Sequence, residues 1–211
     1  VQSDEPTLAE SLDETLLRAG FAKCPDWQGV LRSNLRGADP RHRVLALRGA
    51  VRQSLVTLDD WHDALGDADL DVRREALAQI AYVEMNDQRV FERIVQLLDD
   101  ADALVVDAAV FALAEHHYSG AVERLCEVAT SHDDARCRES AVAALGAIGD
   151  DRGRAAVLAA LDDKAPVRRR AIVALTNFEG PDIDAALERA AQDRDWQVRA
   201  AVLQLKPDED D

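Results

Sequence analysis

The chain has 211 residues, 47% of them hydrophobic but only 4% aromatic, so a sizeable core has to be built from Ala, Leu, Val and Ile. A formal charge of −16 argues against general nucleic-acid binding, because neutralising phosphates needs a cationic surface. No apolar run nears the roughly 18–20 residues of a membrane span, and the opening Val-Gln-Ser-Asp-Glu-Pro lacks the basic region and apolar stretch of a signal peptide.

Thr7 to Ala19 sets Leu8, Leu12, Leu16 and Leu17 on one stripe and predicts an N-terminal helix. Residues 26–36 and 40–54 follow as a first helix pair, and 58–65, containing Trp61, opens the next. From residue 71 one phrase returns at 71–80, 105–113, 137–145, 167–175 and 198–205. Its leading apolar residues Val72, Val105, Cys137, Val167 and Val198 are 33, 32, 30 and 31 residues apart, a period that marks stacked supersecondary units.

Each phrase reads as a helix with its buried seam at i, i+4 and i+8. The sets are Val72/Ala76/Ile80, Val105/Ala109/Leu113, Cys137/Ala141/Leu145 and Val167/Ala171/Leu175. Amphipathic segments at 87–99, 120–130, 151–162 and 181–192 separate the phrases, giving two helices per period. The expected fold is therefore an all-α solenoid, a right-handed superhelix of about six antiparallel helix pairs with an extra N-terminal helix. One domain is expected over residues 1–205, with a cap at about 5–37 and repeats at about 38–205. The acidic tail 206–211 has no apolar residue to bury and is expected to be disordered.

Turn chemistry agrees with this division. Asp99-Asp100, Asp133-Asp134 and Asp162-Asp163 precede phrase helices, where Asp caps orphan N–H groups and complements the helix dipole. Pro166 sits at a helix start, where the missing N–H costs nothing. Cys24, Cys126 and Cys137 form no Cys-x-x-Cys pair, and Cys137 replaces Val in the seam, so it reads as a small buried hydrophobe in a reducing, cytoplasmic protein. Residues 1–132 carry a net charge of −11 and residues 133–205 only −2, so the acidity is concentrated in the first part.

An Asp followed six residues on by Arg, with Val before the Arg and Ala-x-x-Ala-Leu after it, resembles the HEAT repeat. More specifically it looks like the short bacterial HEAT-like repeats known from phycobilisome lyases. Asp67/Arg73, Asp162/Arg168 and Asp193/Arg199 keep the full pair, whereas the copy at 105–113 has Asp100 with Val106 and the copy at 137–145 has His132 with Arg138. An Asp at the turn and an Arg in the next helix can form an ion-pair ladder between stacked units. The resemblance also implies that the phrase helix is the second of each pair and lines a concave face. Partner-facing positions are then Arg74, Glu75, Gln79, Asp107, Glu139, Arg169 and Arg170.

Enzymatic relatives within that resemblance fit poorly. An iron-dependent hydroxylase of this repeat type places His-Glu directly after Val-Arg, but the matching positions here are Arg74-Glu75, Asp107-Ala108, Glu139-Ser140 and Arg169-Arg170. A DNA glycosylase of this type needs a cationic groove, and the one basic cluster is Arg168-Arg169-Arg170 with Arg136 and Arg138. Glu115-His116-His117-Tyr118 is the only dense set of metal-ligand types. Its adjacent histidines point about 100° apart on a helix and do not converge on one ion, even with His132 or Cys126 nearby in the chain. Trp27, Trp61 and Trp196 are expected to fill gaps between unequal repeats. The expectation is a monomeric, non-enzymatic scaffold that binds a protein or peptide and needs no cofactor or metal. The alternative is an accessory or maturation subunit of an enzyme system, such as a chromophore-lyase-like factor.

Overall fold

The computed structural model describes residues 11–21 and 25–205. The start of the predicted N-terminal helix, Cys24 and the acidic tail lie outside them. Among the described residues all regular structure is helical: α1 (Leu12–Ala19), α2 (Pro25–Asn34), α3 (Pro40–Arg52), α4 (Leu58–Leu65), α5 (Leu70–Ile80), α6 (Gln88–Gln96), α7 (Ala103–Glu115), α8 (Val122–Ser131), α9 (Ala135–Ile148), α10 (Arg154–Ala159), α11 (Ala165–Leu175), α12 (Pro181–Ala190) and α13 (Trp196–Leu205). The chain divides into two compact units, one ending at Gln79 and the other starting at Ile80.

In the first unit, Ser11 and Glu14 close a capping box at the start of α1, with reciprocal bonds of 3.3 and 3.0 Å. Leu16, Ala19, Leu31 and Ala46 form a core over which Trp27, Val30, Leu35, Leu45 and Leu55 close. The end of α1 meets α3 through two glycines: a Cβ added at Gly20 would stand 3.1 Å from the Gly49 Cα. Thr57 caps α4 through the Asp60 backbone N–H at 3.2 Å, and the Asp60 carboxylate accepts from the Thr57 N–H at 3.0 Å.

In the second unit the four phrase helices α7, α9, α11 and α13 alternate with α6, α8, α10 and α12. The second helices of successive pairs, α7, α9, α11 and α13, pack side by side, and each lies against the first helix of its own pair. The seam is buried as its spacing requires: Val105, Ala109, Leu113, Cys137, Ala141, Leu145, Val167, Ala171 and Leu175 are all shielded from solvent. Small residues set the helix separation, since a Cβ at Gly146 of α9 would lie 2.6 Å from the Ala174 Cβ of α11. Asp102, Asp134 and Asp195 cap α7, α9 and α13 by accepting the N–H two residues on, at 2.8 Å for each. The cap of α7 is thus Asp102, just past the expected Asp99-Asp100 pair. Gly149 ends α9 in the left-handed conformation, φ 67°, where a side chain would be strained.

Candidate interaction surface on the second helices

Arginine one residue past the seam's leading position builds the same device repeatedly. In the first unit Arg43 donates Nε and Nη2 to the two carboxylate oxygens of Asp67, both at 2.7 Å. In the second unit Arg138 grips Asp163 at 2.6 and 2.7 Å, and Arg168 grips Asp193 at 2.9 and 2.7 Å. The remaining Nη1 turns back to carbonyls of the arginine's own turn: Arg43 to Gly37, Arg138 to His132, Arg168 to Asp163 and Arg199 to Asp193, at 2.7 to 2.9 Å. Arg73 does the same with the Asp67 carbonyl at 2.8 Å. Each rung therefore joins the arginine of one repeat to the aspartate of the next, and the guanidinium fork matches the carboxylate in two parallel bonds. The Asp67 and Asp193 carboxylates also accept the backbone N–H two residues on, at 2.9 and 2.7 Å, which fixes the turn.

Two details of the ladder go beyond the spacing of six. Within one repeat the Asp and the Arg six residues later meet through the aspartate's backbone carbonyl, as in Asp67/Arg73 and Asp193/Arg199, and the carboxylate serves the preceding repeat. Before the copy at 167–175, Asp163 and not Asp162 holds the rung. Asp162 ends a 3₁₀ turn and is exposed, while Lys164 occupies the place of the capping Asp and donates its N–H to Asp163 at 2.6 Å. The Arg138 fork holds the Asp163 carboxyl below the usual carboxylate range against the opposing effect of burial, and Arg168 does the same for Asp193. The two irregular copies also become one event. Val106 replaces the arginine and His132 the aspartate of a single rung, so neither leaves a charge unpaired, and the His132 Nδ1 still accepts the Asp134 N–H at 3.1 Å.

Outside the seam, the second helices carry a row of polar groups that link neighbours. Ser140 of α9 donates to the Asp107 carboxylate of α7, Arg170 of α11 lies 3.5 Å from Glu139 of α9, and Arg169 donates to Gln197 of α13 at 3.4 Å. Asp107 and Glu139 are half-buried, whereas Arg169 and Arg170 are exposed. Beside them, one position further along each helix face, Phe111 and Val173 are solvent-accessible. This surface runs from acidic on α7 to basic on α11.

The first unit places its three expected positions differently. Arg74 is accessible and lies 3.3 Å from Asp71. Glu75 does not face outward: it is 8% exposed, and its carboxylate accepts from Arg48 of α3 at 2.6 Å and from Gln79 at 2.8 Å. An arginine on the neighbouring helix draws it inward, so Glu75, braced by Gln79 of its own helix, ties α5 to α3 instead of offering a contact to a partner. The sequence reading missed Arg48 because no other copy has a charge at that position.

Among the described residues no ligand-binding constellation emerges elsewhere. His116 bonds through Nε2 to the Ile80 carbonyl at 2.8 Å and His117 through Nδ1 to the Ala147 carbonyl at 2.8 Å, so the two imidazoles are held on different neighbours. Phe91 stacks on Tyr118 at 4.4 Å and meets His116 edge-on at 5.3 Å, which makes this turn a packing feature. Among the described residues no group of three His, Cys, Asp or Glu is placed to hold a metal ion, and no helix is long and apolar enough to cross a membrane. A shallow cleft beside Leu35, Leu47 and Val72 has its charges already matched, with Arg36 at 3.0 Å from Asp60 and 2.6 Å from Asp63. Trp61 is buried and Trp27 half-buried, in keeping with gap filling, but Trp196 is exposed at the start of α13.

HEAT repeats match residues 58–146 and, overlapping them, 91–176, more than half of the chain. The chain belongs to the HEAT-repeat family. Its repeats share their fold with solved helical-repeat proteins of low sequence identity. An engineered protein is 19% identical with a TM-score of 0.63, covering 86% of this chain and 95% of the other. YibA of Escherichia coli is 16% identical with a TM-score of 0.61, covering 96% and 76%. A designed armadillo repeat protein, solved in complex with the peptide (KR)4, is 19% identical with a TM-score of 0.55, covering 92% and 97%. No curated protein matches the chain.

Proposed function

We propose that this HEAT-repeat chain is a non-catalytic scaffold that binds a protein or peptide partner on the face formed by its second helices. The observation that carries the reading is the row on α7, α9 and α11. Three adjacent helices present Asp107, Glu139, Arg169 and Arg170 beside the accessible apolar residues Phe111 and Val173. A rigid surface with graded charge and scattered apolar anchors suits recognition, because the charges set register and the anchors supply affinity. The likeness to a designed repeat protein in complex with a peptide supports a partner of that kind. In the same reading the protein works as a cytoplasmic monomer and needs no cofactor.

The test is a double charge reversal, Arg169→Glu with Arg170→Glu, measured against the partner recovered by affinity capture. Both side chains are exposed, so the fold should persist while affinity falls and its salt dependence changes. Unchanged affinity, with the partner's footprint on the first helices α8, α10 and α12, would move the site to the opposite face and refute the reading.

A further inference from the structure

Exposed aromatic side chains are scarce in a chain with 4% aromatic residues, and two of them touch. Tyr82, just past the end of α5, is 76% exposed and Phe111 of α7 is 42% exposed, with ring centroids 6.1 Å apart at 58°. Neither ring is needed to bury the other, and a pair of this size left in solvent marks a contact surface more often than a single exposed residue does. Phe111 lies on the second-helix face in the middle of a carboxylate stripe. Asp107 stands four residues before it and Glu115 four residues after it, and these spacings put side chains on the same face of α7. Glu84 follows Tyr82 by two residues. Glu84 and Glu115 are exposed and have no hydrogen bond or ion pair among the described residues, in contrast to the aspartates of the ladder. The Asp107 carboxylate has one bond, from Ser140.

An exposed aromatic pair with the free carboxylates of Glu84 and Glu115 close by in the chain has one natural complement, a cation that is also flat. The protein already makes this contact once: Arg52 lies over the exposed Phe21 ring at 4.1 Å. No such cation covers Tyr82 or Phe111 among the described residues. We infer that the Tyr82–Phe111 pair is the docking point for an arginine side chain carried by a basic segment of a partner protein. The guanidinium stacks on the rings while its N–H groups reach Glu84, Glu115 or Asp107. The net charge of −16 attracts such a segment from a distance. Arg169 and Arg170 on α11 repel it, so the segment ends short of that helix. This inference rests on the second-helix reading above and specifies the partner's chemistry.

The experiment titrates fluorescently labelled (KR)4 peptide, with a neutral peptide of equal length as reference, into the full chain and follows anisotropy at low and high salt. Tyr82→Ala and Phe111→Ala should each weaken (KR)4 binding at least about fivefold, the loss of one cation–aromatic contact. Tyr82→Phe should retain affinity, and Trp196→Ala, which removes an exposed aromatic elsewhere, should change nothing. Circular dichroism confirms that each variant is folded; Tyr82 is exposed enough that its replacement keeps the test valid even if Phe111→Ala lowers stability. Absence of (KR)4 binding, or equal binding by the Tyr82→Ala and Trp196→Ala proteins, overturns the inference. If in that case the Arg169→Glu, Arg170→Glu protein still loses its captured partner, the second-helix reading survives alone; if it does not, both fall.

Discussion

Replacing Arg168 by Val removes three hydrogen bonds at once: two to the Asp193 carboxylate and one to the Asp163 carbonyl. Arg168 is 5% exposed, so its loss also strands groups that water reaches poorly. Removing one partner of a buried ion pair costs about 3–5 kcal/mol, chiefly through the charge left behind. Asp193 keeps the Asp195 N–H as a donor and its side chain is 15% exposed, which lowers the expected cost to about 2–3 kcal/mol. Asp193→His alone should cost a similar amount by stranding the guanidinium. The double variant Arg168→Val with Asp193→His copies the chain's own Val106/His132 pair and should cost about 2–3 kcal/mol in total, well under the sum of the singles. Urea unfolding of the full chain followed by far-ultraviolet circular dichroism measures all three.

The pH dependence supplies the sign. Because the folded Asp193 carboxyl is held below its unfolded value, its contribution is present above the unfolded pKa of about 3.9 and disappears as pH falls through the folded value. The Arg168→Val deficit should therefore be constant near neutrality and shrink only in acid below about pH 4. Strict additivity of the two single variants, or a deficit independent of acid, would show that the rung is decoration on an interface held by packing alone.

Ala171 is fully buried in the α11 seam, so Ala171→Leu should overpack and cost about 1–3 kcal/mol; a thermal melt indistinguishable from the parent would contradict the register of the repeat. Burial pushes the Cys137 thiol up to about 11, and its Sγ lies 3.3 Å from the Ala103 carbonyl, so native protein treated with iodoacetamide at pH 8 should leave Cys137 unmodified, as peptide mass mapping would show.

Much of this fold is written in simple spacing. A period of 30–33 residues places α5, α7, α9, α11 and α13 within about two residues, and in the first four of these the Ala at the seam's centre suits close helix packing. The first helices are less regular: α10 is reduced to Arg154–Ala159 between two 3₁₀ turns, since Ala-rich segments with a Gly153 start specify no sharp helix ends. Side-chain pairing was harder to see. The Asp/Arg spacing of six is visible within a repeat, yet the carboxylate works across repeats, at a separation of 24 or 25 residues that no local motif reveals. Glu75 looked like a surface residue for the same reason, because its partner Arg48 lies 27 positions away. The Tyr82–Phe111 contact carries no periodic signal at all and emerges only when the turn after α5 and the helix α7 stand beside each other.

The most direct test of the second-helix surface is hydrogen–deuterium exchange of the full chain with and without its captured partner. Partner binding should slow exchange in α7, α9 and α11 and leave α8, α10 and α12 at their free rates. Protection confined to the first helices, or to neither set, would contradict the second-helix reading.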